Sequence, residues 1–344
     1  VSKETTFTGN NATAIVTSVD TTAASGIADG ATAVTFRALI KDQNGNPLSG
    51  IPVDWKSNKD SSIVSFKRSQ TLTSEQGIAE AEVTSTRAYS DVVVTASTNA
   101  SSKSTSPFTF IADKQSPVIK TLTSNKQTLT ANGTDTATLT VSVTDTHGNP
   151  LSGVEVTLSN GNKAEITPAR PVTDPDGIAS ASLSTHYAGQ VIVSASLGKD
   201  TEKSLSLQAL SDEQTANVTV VPDTTSATAG QIQPVTLTAT VLDGDNNPVS
   251  GTSVAWQTNH NQLSDTVSQT NEKGQATVKL LGTQATLTTV TAVLYNGHKG
   301  STQVDFGPGE PVGEHSQLSV SPQSITADGQ SKALASLILR DKWD

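Results

Sequence analysis

Apolar and polar residues alternate along most of this chain with a period of two. Val34, Phe36, Ala38 and Ile40 mark one side of a segment in which Thr35, Arg37 and Leu39 intervene. Ala137, Leu139, Val141 and Val143 repeat the pattern, and so do Val235, Leu237, Ala239 and Val241. Four apolar positions at that period predict a half-buried β-strand. In the first hundred or so residues, further strands are predicted at 13–19, 51–56, 62–66, 71–73, 78–85, 91–97 and 107–112. Seven or eight short strands separated by turn residues are what a β-sandwich requires. No stretch carries an apolar face at helical spacing, so negligible helix is expected.

Self-comparison shows why the pattern recurs. Gly45-Asn46-Pro47-Leu48-Ser49-Gly50 returns unchanged as 148–153 and, altered, as Asn246-Asn247-Pro248-Val249-Ser250-Gly251. The three prolines lie 103 and 98 positions apart, about the size of one immunoglobulin-like sandwich. A glycine precedes each proline by 17 or 18 positions (Gly30, Gly133, Gly230), and Trp55, Leu158 and Trp256 follow each by eight. Gly77-Ile78-Ala79, Gly177-Ile178-Ala179 and Gly274-Gln275-Ala276 come next in the same order. A fourth copy begins at Ala327-Asp328-Gly329 and has its strand at Ala333, Ala335, Leu337 and Leu339. The fold class expected is therefore all-β: tandem immunoglobulin-like sandwiches in an elongated rod. The divisions expected are 1–113, 114–213 and 214–309, with 310–344 the start of a fourth repeat.

Turn chemistry agrees with this division. Proline presets the turn after Asn46, Asn149 and Asn247, and Asp174-Pro175-Asp176-Gly177 fits a type I turn. The linkers, roughly 113–117, 211–215 and 307–314, are short, which favours a semi-rigid rod. Aromatic residues are only 3 % of the chain, so each core must be thin and built mainly from Val, Ile, Leu and Ala. Cysteine is absent, which excludes disulfides, thiolate metal sites and cysteine nucleophiles. The net charge of −10 comes with no Lys/Arg cluster, so nucleic acid is not an expected partner. No apolar run approaches a membrane span and no leader is visible at Val1, so the chain reads as a processed or excised section of something larger.

The glycine-led strand, the turn Asp42-Gln43-Asn44-Gly45-Asn46-Pro47-Leu48-Ser49-Gly50, the Val53-Asp54-Trp55 strand and the later Gly77-Ile78-Ala79 strand together resemble the bacterial Ig-like domain of group 1. That domain builds the exported arms of the intimin/invasin family of outer-membrane adhesins. The resemblance covers essentially the whole chain. It implies a passenger section of an inverse autotransporter on the bacterial cell surface, tethered to the outer membrane by an N-terminal barrel that these residues do not contain. The partner it implies is a host-cell surface protein or glycan.

Candidate chemistry is sparse. His147, His186, His260, His298 and His315 show no pairwise spacing that aims two of them at one metal, and His147 reads as a turn substitution for Asn44. Asp42–Asn46 and Asp243–Asn247 start like calcium loops. Pro47 and Pro248 stand at the sixth place, however, and Val53 and Val254 at the twelfth, where glycine and glutamate belong. The turn reading is preferred, with a differently built calcium site between domains as its alternative. Trp55 and Trp256 could be carbohydrate platforms, but Leu158 at the same offset favours core packing. Phe108, Phe110 and Phe306 read as core or interdomain residues of last strands, and Trp343 as an exposed residue beyond the final strand. The Asn-x-Ser/Thr triplets at Asn11, Asn99, Asn132 and Asn217 are incidental in a bacterial protein. No catalytic, cofactor or metal residues are assigned, and no enzyme is expected.

Three function classes follow. The first is a stalk that holds a binding tip away from the envelope. The second is a receptor site on one repeat, and the third repeat departs most from the others, at Asn259-His260-Asn261-Gln262 and Asn296-Gly297-His298. The third is an accessory module of a secreted hydrolase, which would require a catalytic domain elsewhere in the gene.

Overall fold

The computed structural model describes every residue except 1, 2, 4, 6, 7, 162, 199–201, 231, 232, 343 and 344. Trp343 lies outside the described residues. Three separate hydrophobic clusters run in series, spanning Ala14–Phe110, Ile119–Ala209 and Ala216–Phe306. The accessible surface is 20141 Å². One compact globule of this mass would expose about 13,000 Å², so the chain is a string of small cores.

Each core lies between two β layers, the second of which is split into two sheets in the first repeat. In the first repeat one sheet has the order Ile15–Asp20, Val34–Lys41, Ile78–Ser85, Val64–Phe66, all antiparallel. The same order returns as Val118–Ser124, Ala137–Thr144, Ile178–Ser184, Glu165–Thr167 and as Asn217–Pro222, Val235–Leu242, Gln275–Leu281, Gln262–Leu263. Alternation puts Val34, Phe36, Ala38 and Ile40 inside, as their spacing requires. Large residues face small ones across the sheet, Phe36 opposite Ala81 and Leu139 opposite Ala181, so a thin core fills with few aromatics. Phe108 meets Phe36 and Phe110 edge-on at 5.2 and 5.3 Å.

The opposite sheet holds what periodicity alone did not reveal. After Ile15–Asp20 the chain crosses to the second sheet, where Gly26–Ile27 pairs parallel with Phe110 and Ile111. Thr128–Thr130 and Ser226–Thr228 make the same short parallel pairing in the other repeats. The strand expected at 91–97 is broken at Val93 into Tyr89–Val92 and Val94–Ser97. Pro107, in the gap between Ser102–Ser104 and Phe108–Ile111, has no N–H to give, and the Val93 backbone pairs with Asn58, its N–H donating to Asn58 Oδ1 at 2.9 Å. The corresponding strands of the later repeats, Gly189–Ser196 and Leu287–Val293, run unbroken. Only two single-turn 3₁₀ helices, Asn11–Thr13 and Glu213–Thr215, interrupt the β structure among the described residues.

The recurring sequence landmarks have separate structural causes. Gly77, Gly177 and Gly274 have φ of 71°, 74° and 71°. Each also lies against the carbonyl of Ile40, Val143 or Val241, where a Cβ would collide, as at 2.5 Å for Gly77 and Gly177. Only glycine meets both conditions. Trp55 and Trp256 are 3 % exposed and Leu158 is 5 %, so the position is core in all three repeats. The indole N–H groups donate to Thr71 Oγ1 at 2.8 Å and Ser268 Oγ at 2.9 Å, which satisfies their one polar atom.

The last described segment is a hairpin of Gln317–Ser321 with Leu334–Ile338. Leu318, Val320, Leu334 and Leu337 are exposed on it, with no second sheet over them among the described residues.

Truncating Trp55 to alanine is expected to cost about 3–5 kcal/mol and to lower only the transition of the first repeat. Calorimetry of the whole chain checks this: an unchanged thermogram would refute the core assignment, and a shift of all transitions together would refute the independence of the cores.

Candidate functional site: the joint between repeats

The prolines at 47, 150 and 248 follow a turn that opens with aspartate and closes with asparagine, and this turn lies at the end of its repeat that faces the preceding one. Its residues make the contacts between successive repeats. In the second repeat Asp145 Oδ1 accepts the N–H groups of His147 and Asn149, both at 2.9 Å. Oδ2 accepts the Asn149 side-chain amide at 2.8 Å and the N–H of the linker residue Asp113 at 3.1 Å. One carboxylate thereby shapes its turn and fixes the incoming chain 32 residues upstream.

Asn149 carries the joint further. Its Nδ2 donates to Thr86 O at 3.1 Å, and its Oδ1 accepts the Ala88 N–H at 2.8 Å. Both groups belong to a loop of the first repeat, so one amide closes a two-way bond between domains. At 3 % exposure Asn149 is buried there. The next joint is built alike. Asp243 Oδ2 accepts the Asp212 N–H at 3.1 Å, while Asn247 donates to His186 O and accepts from Ala188 N–H, each at 2.9 Å. At the fourth copy Asp341 Oδ2 accepts the Gly309 N–H at 2.7 Å.

In the first and second repeats the Asp42 and Asp145 carboxylates are held ionised by these donors. Burial alone would raise the Asp145 carboxyl, but the hydrogen bonds from Asn149, Asp113 and His147 outweigh it and hold it below the usual range. The Asn46 side-chain and backbone amides do the same for Asp42, holding it at about 2. Calcium ligands must be oxygens with free lone pairs. In the two candidate segments the Asp42 oxygens are taken by the N–H groups of Asn44, Asn46 and Asn10 and the Asn46 amide, and those of Asp243 by Asp245, Asn247 and Asp212 N–H and the Asn247 amide, which favours the turn reading. Among the described residues no group of three or more His, Asp or Glu is placed to hold a metal.

Two histidines meet at the joints. His186 Nδ1 lies 3.0 Å from Asp245 Oδ2 across the second joint, packed over Gly133, where any Cβ would displace the ring. His147 stands in the place of Asp245 at the first joint, with Thr86 in the place of His186, so only the second joint has this pair. The other three lie apart from these: His298 Nδ1 contacts Ala216 O at 2.8 Å, His260 O accepts the Thr258 hydroxyl, and the His315 N–H donates to Val312 O at 3.1 Å.

The divergent loops of the third repeat are spent inside it. Asn261 Oδ1 accepts the N–H groups of Thr283 and Gln284, and Asn259 Oδ1 accepts that of Thr289. Asn296 Nδ2 donates to Ala216 O at 2.7 Å and to Glu213 O and Gln214 O at 3.3 Å, tying its loop to the linker. Sequence reasoning passed over Asn46, Asn149 and Asn247 as turn formers. The available signal was the Asp and Asn retained five positions and one position before each proline while the residues between them vary.

The sequence profile of the bacterial Ig-like domain (group 1) matches residues 4–111, 119–209 and 217–307. The chain is 30% identical over 331 residues to the inverse autotransporter adhesin YeeJ of Escherichia coli K12, across 92% of this chain and 14% of that protein. It is 31% identical over 168 residues to intimin of Citrobacter freundii, across 47% of this chain and 17% of intimin. The chain thus spans less than a fifth of the length of either curated relative. The solved structure of FdeC, an Escherichia coli adhesin, superposes with a TM-score of 0.55 at 19% identity, covering 85% of this chain and 96% of that one, which shows a shared fold.

Replacing Asn149 with alanine strands the Thr86 carbonyl and Ala88 N–H, at a cost of about 1 kcal/mol or somewhat more. The expected result is faster hydrogen exchange at the Ala88 amide, with each core melting as before; unchanged exchange there would remove the joint from the account. Acid should loosen the turns of the first and second repeats. Because the native pKa of Asp42 and Asp145 is depressed, their contribution is full above the unfolded value of about 3.9 and is lost as pH falls through the lower native value. Turn amide resonances should therefore hold to pH 4 and shift below it. A midpoint above pH 4 would contradict the assignment.

Proposed function

The chain belongs to the bacterial Ig-like domain (group 1) family, and on that premise we propose that it is a stalk section of an intimin/invasin-type adhesin, whose work is length and stiffness. The observation that carries this is the joint. Asp145–Asn149 and Asp243–Asn247 fix each repeat to its linker and to the body of the repeat before it. A short linker limits how far domains separate. A two-way side-chain bond also limits how they rotate, and the two together make a rod.

The sequence divisions at 113, 213 and 309 fit this reading, since Asp113, Asp212 and Gly309 are the residues the turn aspartates hold. The proposed location is the outer surface of a bacterium, tethered to the outer membrane through an anchor outside these residues. The proposed partner of the parent protein is a host-cell surface protein or glycan. In this reading the section has no catalytic role. Its polar side chains support that, because the Asp, Asn and His residues at the joints are spent on hydrogen bonds that hold turns and domains.

Solution scattering of the whole chain tests the stalk. The expected radius of gyration lies well above the ~20 Å of a compact chain of this length, and the Asn149→Ala, Asn247→Ala double variant should show a broader distance distribution. A compact value for the unaltered chain would overturn the proposal. Saturable binding of the bead-coated chain to epithelial cells, lost on deleting one repeat, would replace it with a receptor site on that repeat.

A further inference from the structure

Each joint leaves a groove between the end of the preceding repeat's last strand and the proline turn of the following repeat. In the first joint Tyr89, Ile111, Lys114 and Pro150 line it, and its volume is about 480 Å³. In the second, Gly189, Leu210, Glu213, Pro248 and Glu272 line a groove of about 680 Å³.

Strand register makes the two grooves comparable position by position. Tyr89 pairs with Phe110, and Gly189 with Ala209. Phe110 and Ala209 pair in turn with Gly26 and Leu129. Inside the cores one exchange offsets the other. Buried Leu129 brings the bulk that Ala209 lacks, while Phe110 needs Gly26, where a Cβ would come within 2.5 Å of its ring. Nothing offsets the loss of Tyr89. Its ring packs on the first core and walls the first groove, whereas a Cβ on Gly189 would meet nothing within 4 Å. Leu210 beside it is 53 % exposed.

The charge of the groove changes sign as well. Lys114 in the first joint corresponds to Glu213 in the second, where the Asn271–Gly274 turn adds Glu272. No basic side chain lines the second groove, and neither carboxylate has an ion-pair partner among the described residues. Exposed apolar surface beside unpaired charge of one sign marks a surface complementary to an occupant of the opposite sign.

We infer that the groove of the second joint is a docking site for an extended segment of another protein, in which an aromatic side chain is flanked by lysine or arginine. The ring enters beside Gly189, against Leu210 and Pro248, as Tyr89 stands beside Ile111 and Pro150 in the first joint. The basic side chains pair with Glu213 and Glu272. Tyr89 and Lys114 close the first groove to the same segment. The site draws on both repeats, so it exists only while the joint holds them together. This goes beyond the stalk reading, which scattering tests on its own.

The probe is the capped peptide acetyl-Gly-Lys-Tyr-Lys-Gly-amide, titrated into the whole chain at low salt and followed by NMR. Saturable shifts at Gly189, Leu210 and Glu213, with a Kd of about 1 mM or tighter and no matching shifts at Ile111 and Lys114, are the expected result. Charge reversal by Glu213→Lys with Glu272→Lys should weaken binding by about tenfold or more; both side chains are exposed, so the fold is kept. Gly189→Tyr should block the groove, while Gly189→Ala, with the same backbone strain at φ 128° but no ring, should still bind. Absence of saturable shifts overturns the inference, and so do equal shifts at both joints. Binding that survives the charge reversal, or a peptide with alanine in place of tyrosine that binds as well, overturns it too.

Discussion

A carboxylate buried from water needs hydrogen-bond donors, and the joints of this protein follow from where those donors come from. Asp145 takes two from its own turn backbone, one from Asn149 and one from the linker. Two bonds would have made a turn. The linker bond makes the turn a fixture for the chain entering the repeat, and the asparagine held by the same oxygen extends the fixture into the neighbouring repeat. Folding a repeat therefore orients it. The geometry that closes its sandwich also sets its angle to the one before.

Dividing the chain among several cores makes this economy necessary. Each cluster is small, with Val, Leu and Ala predominating and few aromatics, so no repeat has a large apolar face to spare for its neighbour. Interfaces between domains of one chain are commonly polar and permissive. Here a few directional bonds do what apolar area cannot, and the same bonds recur at each joint. Within the turn the positions between aspartate and asparagine vary: His147 stands where the third repeat has Asp245, and Gly45 and Gly148 where it has Asn246. The last exchange is allowed because φ there is 66°, a left-handed value that asparagine tolerates best among residues with a Cβ.

The sheet carrying Val34–Lys41 and its relatives was legible from alternation, since a strand half buried in a sandwich writes its burial into every second residue. The turn glycines were legible too, because positive φ and a close carbonyl leave no substitute. Less visible was the short parallel strand at Gly26–Ile27, where two residues cannot display a period, and the break at Val93, whose N–H is taken by Asn58, 35 residues away. Of the joint, the sequence showed the aspartates and their spacing, but the asparagines looked like ordinary turn residues.

By itself, then, the sequence determined the repeat, its all-β class and the identity of its core positions, because these depend on local periodicity and on backbone conformations that few residues adopt. Tertiary structure alone decided that Asn149 and Asn247 grip the preceding repeat and that His186 meets Asp245. A hydrogen bond between residues 61 or 63 positions apart, such as Asn149 to Thr86 or Asn247 to His186, leaves no periodic trace. It exists only once two sandwiches have folded and the linker between them has set their distance.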